Sequence, residues 1–439
     1  MALLRSLKHR PFALLWSGQT ISRLGDSLYR IALAWWVLQK TGSGTAVSAV
    51  LIFSFAPMLI FLLIGGVVAD RFPRVRVMFV SDVLRGAIVA LVSVLTFSNR
   101  LELWQVYVTS LIFGFVDAFF QPAYTSVVPE ITPNEMLPSA NSLTALSGEI
   151  TGIIGPAAGA LIIKLASGSL AIAAPFSLDK LLIAFQALGI QTGTATAFAL
   201  DSLSFFASGA CLLLLLRSPV PKKSDVDSEG DTVQKAESQS ALASIREGFA
   251  LVLASPWLWI TITIAAFSNF TVAGPINVAL PILIKINLGA DVDSLGLIFS
   301  ALSLGAVLGA VWLGRQKQLR RRGLLAYASW IAVGLLIVPL GLVNSVAMIA
   351  IIAVVLGILL SVLNLVWANT LQELVPLDKL GRVASVDQLG SFALLPIGFG
   401  ATGWLTDHIG APILFVIGGI ITAGLALLGL LHPEIRHLD

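Results

Sequence analysis

Gly66-Val67-Val68-Ala69-Asp70-Arg71-Phe72-Pro73-Arg74-Val75-Arg76 is a short charged loop between two long apolar runs. Residues 46–68 upstream carry no charge, and residues 77–97 downstream are apolar except for Asp82 and Arg85. About 20 apolar residues are needed to cross the hydrocarbon core of a bilayer, and a connection this short makes two such spans antiparallel neighbours. Arg71, Arg74 and Arg76 place the loop on the cytoplasmic side by the positive-inside rule. Asp70 follows Gly66 by one helical turn, at the end of the upstream helix, where a carboxylate opposes the helix dipole. It needs a cationic partner, and the three arginines are at hand. A tie between helix ends that can be made and broken suits a gate. The plainer alternative is a positive-inside loop with no gating role.

Working outward, the same pattern repeats along the chain. Of 439 residues, 57% are hydrophobic and 12% charged, against about 25% charged in a soluble domain, so most of the chain belongs in lipid. Twelve spans are expected: 12–38, 46–68, 77–97, 103–128, 140–165 and 195–216, then 256–284, 295–313, 324–343, 347–371, 384–405 and 411–431. The basic N-terminus leads into a run too long for a signal-peptide core and interrupted by charges, so the first span is expected to be retained. With both termini cytoplasmic, nineteen lysines and arginines fall inside and five outside (Lys40, Arg100, Lys164, Lys180 and Lys285), which sets the orientation in a cell (inner or plasma) membrane.

The two halves repeat. Gly66, Arg74 and Gly155 meet Gly309, Lys317 and Gly398 at an offset of 243 residues, whereas Pro219 meets Pro433 at 214. The first half therefore carries a 29-residue insertion, about 166–194, on the outer side. Within it Leu178, Leu181, Leu182, Phe185 and Leu188 recur at helical spacing and predict an amphipathic interfacial helix, either a lid or a simple cover for apolar surface. The expected organisation is an N-terminal six-helix bundle (1–216), a cytoplasmic linker and surface helix (217–255) and a C-terminal six-helix bundle (256–439). Such an all-α membrane protein of two parallel six-helix repeats is a transporter architecture.

Ionisable side chains inside a bilayer mark function by default, at roughly 2.5–3.5 kcal/mol each on insertion scales. Arg23, Asp26 and Arg30 share one face of the first span; Asp82 and Arg85 share a face of the third; Asp117, Glu149 and Asp201 occupy the fourth, fifth and sixth. Asp26, Asp117, Glu149 and Asp201 are candidates to carry protons, with Arg23 or Arg30 the expected partner of Asp117. Asp82 and Arg85 read as a structural pair behind the loop. The second half reads as almost free of such groups: at the repeat offset Asp26 meets Asn269. Asn269, Asn277, Asn364 and Trp367 are candidates for a largely neutral substrate cavity. The single cysteine excludes an internal disulfide, and no metal cluster, nucleophile–base pair or phosphate loop points to an enzyme or a cofactor.

The opening loop resembles the loop 2–3 signature of the major facilitator superfamily, Gly-x-x-x-Asp-Arg-x-Gly-Arg-Arg, at Gly66, Asp70, Arg71 and Arg74, with Arg76 next and Asp82 and Arg85 behind it. Gly155, Pro156 and Gly159 resemble the antiporter motif Gly-x-x-x-Gly-Pro-x-x-Gly of drug exporters, with Gly152 one position displaced. Phe120-Gln121-Pro122, Asp201-Ser202-Leu203-Ser204 and Gly381-Arg382-Val383 are similar to the macrolide-efflux and enterobactin-exporter branch, the transmembrane secretion effectors. The resemblance implies proton-driven export of a bulky amphipathic small molecule such as a macrolide. A siderophore exporter or a lysophospholipid flippase is the alternative. It implies protons, the substrate and the lipid bilayer as partners, no nucleic acid, and a monomer.

Overall fold

The computed structural model describes residues 5–167, 192–217, 241–316 and 321–438. For residues 63, 70, 241–246 and 377–378 only the backbone is described. The helix expected within the insertion and the linker of 218–240 lie outside the described residues.

Every described element is helical. The first six long helices are α1 (Arg10–Thr41), α2 (Gly44–Arg71), α3 (Arg74–Phe97), α4 (Leu103–Ile131), α5 (Leu137–Ala166) and α6 (Thr192–Arg217). The remainder are α7 (Ala241–Ala254), α8 (Pro256–Asn287), α9 (Val292–Gly314), α10 (Arg322–Leu340), α11 (Val346–Leu374), α12 (Leu377–Phe392), α13 (Leu395–Ile409), α14 (Ala411–Leu430) and α15 (Pro433–Arg436). Among the described residues eleven helical stretches are long and apolar enough to cross a membrane, with α12 and α13 counted as one. The 32-residue α1 is also long enough and is set apart by Arg23, Asp26 and Arg30. With it the spans number twelve.

Local chemistry fixes the ends. Gly42 closes α1 in the left-handed region at φ 62°, the usual place for glycine. Ser43 then caps α2 by accepting from the Ala46 N–H at 3.3 Å. Glu102 and Gln105 form a reciprocal capping box at the start of α4. In the opening loop Phe72 N–H still donates to Val68, and α3 begins straight after Pro73.

The chain forms two compact units, one of Met1–Lys223 with Ile284–Ser300, the other of Ser224–Leu283 with Ala301–Asp439. In the first, α1 packs on α5 and α6, α2 on α4, and α3 on α4 and α6. Lys164 Nζ donates to Asp293 Oδ2 at 2.8 Å. In the second, α10 packs on α11 and α14, and α12 on α7 and α8. The tightest crossings use glycine. A Cβ on Gly114 would lie 1.9 Å from the Ser54 carbonyl oxygen; 243 positions later, one on Gly357 would lie 2.0 Å from that of Leu302. Only a bare Cα allows backbones to approach so closely in lipid.

Two spans depart from regular helix. α8 leaves α geometry at Asn269 and runs through π-helical stretches at Asn269–Ala273, Pro275–Ala279 and Leu283–Asn287. Pro275 and Pro281 cannot donate to carbonyls four residues back, so wider turns re-satisfy the backbone. The eleventh span, expected as continuous, is divided at Ala393 and Leu394. Pro396 removes the donor that would have met the Phe392 carbonyl, and α12 ends there.

Candidate functional site

The candidate site in the first unit is built around Arg85, eleven residues into α3. That is about 16 Å along the helix axis, near mid-membrane rather than at the loop. Its side chain is 4% exposed. Nη2 donates to Asp82 Oδ1 at 2.5 Å and Nη1 to Asp117 Oδ1 at 3.1 Å. The planar guanidinium fork suits such a pair of acceptors. Its carbon lies 3.9 Å from the Phe120 ring centroid and 4.8 Å from that of Phe205, so aromatic faces of α4 and α6 cradle the charge. The second Asp82 oxygen accepts from Ser208 Oγ at 2.7 Å and from Gln19 Nε2 at 3.4 Å. Four helices thus meet on one ion triad.

The expected partner of Asp117, Arg23 or Arg30, is corrected by this arrangement. Arg23 turns toward α5, donating to the Thr144 carbonyl at 3.4 Å and lying 5.1 Å from the Tyr124 ring centroid, while Arg30 is exposed. Asp82 and Arg85, expected as a pair behind the loop, instead reach across the bundle, Arg85 to Asp117 of α4 and Asp82 to Ser208 of α6 and Gln19 of α1. A pairing within one helix shows in the sequence as a spacing of three; the register that brings Asp117 opposite Arg85 has no such mark.

Asp26 and Asp201 flank the triad without an ion pair among the described residues. Asp26 is half-buried and lies within Coulombic range of Arg85, Arg30, Asp117 and Asp82. Asp201 is fully buried; Ser204 Oγ lies 3.3 Å from its Oδ1, and Oδ2 has no partner. Gly25 lets the two helices meet there, because a Cβ at that position would fall 2.5 Å from Asp201 Oδ1. Glu149 is exposed on α5, away from this cluster, and makes no hydrogen bond or ion pair among the described residues.

The motif residues divide. Gly155 and Gly159 seat α5 against Ser27 and Leu28 of α1, Pro156 interrupts the α5 ladder, and Gly152 is half-buried. In the loop, Arg74 Nη1 donates to Glu130 Oε2 at 3.1 Å and to the Ser126 carbonyl at 3.3 Å, tying α3 to the end of α4. Arg71 and Arg76 are exposed, and the Asp70 side chain lies outside the described residues. A Cβ on Gly66 would meet nothing within 4 Å, whereas one on Gly65 would lie 2.0 Å from the Ala118 carbonyl oxygen.

In the second unit Asn269 Nδ2 donates to the Ser391 carbonyl at 2.9 Å, and Asn277 to its own helix at Ala273. Asn364 is exposed. Trp367 Nε1 donates to Asp387 Oδ2 at 3.2 Å. Asp387 escaped the sequence reading, and the expectation that this half is nearly free of intramembrane acids is corrected by it. The available signal was an aspartate inside the eleventh apolar run.

Comparison with known proteins follows the same lines. The model described as "Transmembrane secretion effector" matches residues 2–188, and that described as "Major Facilitator Superfamily" matches residues 262–437. The chain is similar to macrolide efflux protein A of Streptococcus pyogenes, at 23% identity over 98% of this chain and 97% of that one. It is similar to the multidrug efflux pump Tap of Mycolicibacterium fortuitum, at 23% identity over 98% of each. The enterobactin exporter EntS of Salmonella typhimurium shares 24% identity over 96% of this chain and 91% of its own. Among solved structures, a bacterial homologue of the iron transporter ferroportin in an inward-facing state superposes with a TM-score of 0.71 at 13% identity, covering 96% of this chain and 99% of that one. A D-xylose–proton symporter does so at 0.64 with 16% identity, covering 98% of each. With its helical spans, its internal repeat and family matches over both halves, the chain belongs to the major facilitator superfamily of membrane transporters.

Proposed function

We propose that this transporter exports a bulky amphipathic small molecule, of the macrolide or drug type, from the cytoplasmic side in exchange for protons by alternating access. The observation that carries the reading is the charge balance of the first unit. Asp26, Asp82, Asp117 and Asp201 gather near one buried guanidinium. Arg85 is shared by Asp82 and Asp117, and among the described residues Asp26 and Asp201 have no ion pair of their own. In a low-dielectric interior unpaired charge is costly, and protons are the particles able to make up the difference. Asp26, half-buried beside a fully buried Asp201, is the group through which protons enter and leave. The similarity to macrolide and multidrug exporters along nearly the whole chain supports outward transport of a greasy ligand. The inside excess of lysine and arginine supports cytoplasmic termini in a bacterial-type cell membrane. Glu130 and Arg74 hold the cytoplasmic ends of α3 and α4 together in the state seen here.

Proteoliposomes with an imposed pH gradient test the reading. Wild-type protein is expected to move a macrolide against its gradient and to stop when an uncoupler is added. Asp26→Asn is expected to insert normally and to lose gradient-driven transport by at least about a hundredfold, the lower end of the effect of a single proton-transfer group. Wild-type transport by that variant overturns the role of Asp26. Uncoupler-insensitive movement of lysophospholipid by the wild type would favour the flippase instead.

A further inference from the structure

We infer that Arg23 anchors an anion-recognition site in the first unit, one that takes the sulfonate, phosphate or carboxylate of an amphipathic cargo. This rests on the export reading above and adds anionic amphipaths to its cargo class. Arg23 is half-buried in α1, about 20 Å along the helix axis from its start. Among the described residues it has no ion pair. The acids of the unit are engaged elsewhere. Asp26, one turn on, is acted on by Arg85 and Arg30, and Asp82 and Asp117 share Arg85. Glu149 is exposed on α5 and makes no ion pair among the described residues. What surrounds the Arg23 guanidinium is neutral. Nη1 reaches the Thr144 carbonyl only at 3.4 Å. The guanidinium carbon lies 5.1 Å from the Tyr124 ring centroid, and the Tyr124 hydroxyl is within hydrogen-bonding reach of both Arg23 and the Thr144 side chain. Gly148 leaves the guanidinium bare on the α5 side, since a Cβ there would stand 3.3 Å from Nη1. Gln121, one turn before Tyr124, and Asn141, one turn before Thr144, are exposed and give polar approaches from α4 and α5. An unpaired cation inside a span is costly unless something uses it. A fork of N–H donors beside a phenol and a threonine hydroxyl suits an oxyanion, through charge-assisted hydrogen bonds. The charge of Arg85 is met by resident acids; that of Arg23 is left for cargo. A neutral amphipath gains nothing from it.

Purified full-length protein in phosphatidylcholine nanodiscs is titrated with 8-anilinonaphthalene-1-sulfonate and with neutral N-phenyl-1-naphthylamine, which differ by the sulfonate alone. Arg23→Gln is expected to weaken the sulfonate probe about tenfold while changing the neutral probe less than about twofold. Arg23→Lys, which keeps the charge but not the fork, is expected to recover part of the loss. Tyr124→Phe, which keeps the cation and the ring, is expected to weaken the sulfonate probe about threefold and serves if the glutamine variant fails to fold. Equal losses for both probes, or unchanged sulfonate affinity in Arg23→Gln or Tyr124→Phe, overturn the proposal and leave Arg23 a structural donor to α5. If the difference between wild type and Arg23→Gln vanishes in nanodiscs that also contain phosphatidylglycerol, a lipid head fills the site and cargo recognition there is overturned. The outcomes separate from those of the parent reading. Gradient-driven export by a protein whose sulfonate binding ignores Arg23 sinks this inference alone. Arg23-dependent sulfonate binding by a protein whose export ignores the pH gradient sinks proton exchange alone.

Discussion

Arg85 holds more of the first unit's chemistry than any other side chain. Its donors serve acids on two helices while three aromatic rings surround its carbon. Removing it leaves Asp82 fully buried without its cation, and breaking a buried ion pair from one side costs about 3–5 kcal/mol. Arg85→Ala is therefore expected to lower the melting temperature in detergent sharply. Adding Asp82→Asn and Asp117→Asn to it should restore much of the loss, since replacing all partners by neutral groups leaves no orphan charge. Arg85→Lys keeps the charge but not the fork, and should fall between. If all three variants melt with the wild type, the triad does not hold the bundle together. The Asp82–Arg85 spacing was legible in the sequence because it is local to one helix. The link to Asp117 was not, because it depends on how α3 and α4 are set against each other. Asp387 was missed for another reason: it lies near the start of the expected eleventh span, 384–405, as a lone acid with no charged neighbour at helical spacing inside that span to draw the eye.

The helices themselves were largely legible, since apolar length and charge placement define a span almost without regard to tertiary structure. Where they deviate, proline is responsible: at Pro396, which divides the eleventh span, and at Pro275 and Pro281, which carry α8 into wider turns. Glycines tell a subtler story. The family-like signature emphasises Gly66, yet its neighbour makes the contact. A methyl on Gly65 would collide with the Ala118 backbone, whereas one on Gly66 meets nothing within 4 Å. Gly65→Ala is expected to destabilise the α2–α4 crossing by about 1–3 kcal/mol, the usual cost of overpacking. Gly66→Ala should change stability by less than about 0.5 kcal/mol. Thermal melting of the two variants side by side checks this. If Gly66→Ala folds normally and turns over slowly, the motif glycine serves movement rather than packing. If it is the one that unfolds, α2 is rotated relative to the structure described here.

For the whole molecule, the direction of the proposed transport requires a definite direction of insertion, and charge counting predicts it. Nineteen basic residues on one side against five on the other is the bias that insertion machinery reads, and it predicts alternating sides for successive connections. The fold supplies sites to test this in both repeats. Phe72, Arg100, Gln316 and Asn344 are exposed in connections between spans. Cys211, the single cysteine, lies against Gly18 between α1 and α6 and is removed first as Cys211→Ser. Single cysteines placed at Arg100 and Asn344 are then expected to react with a membrane-impermeant maleimide added to intact cells. Those at Phe72 and Gln316 should react only after permeabilisation. The four positions test the repeat as well as the orientation. Two parallel halves require 72 and 316 to share a side, and 100 and 344 to share the other. Labelling of Phe72→Cys and Gln316→Cys in intact cells would invert the protein and turn export into uptake. A split in which one half labels as expected and the other does not would show that one of the twelve spans fails to cross. The span most exposed to that outcome is α1, which Arg23, Asp26 and Arg30 set apart from the eleven stretches that composition alone marks as membrane helices, and whose crossing depends on what α5 and α6 offer those charges.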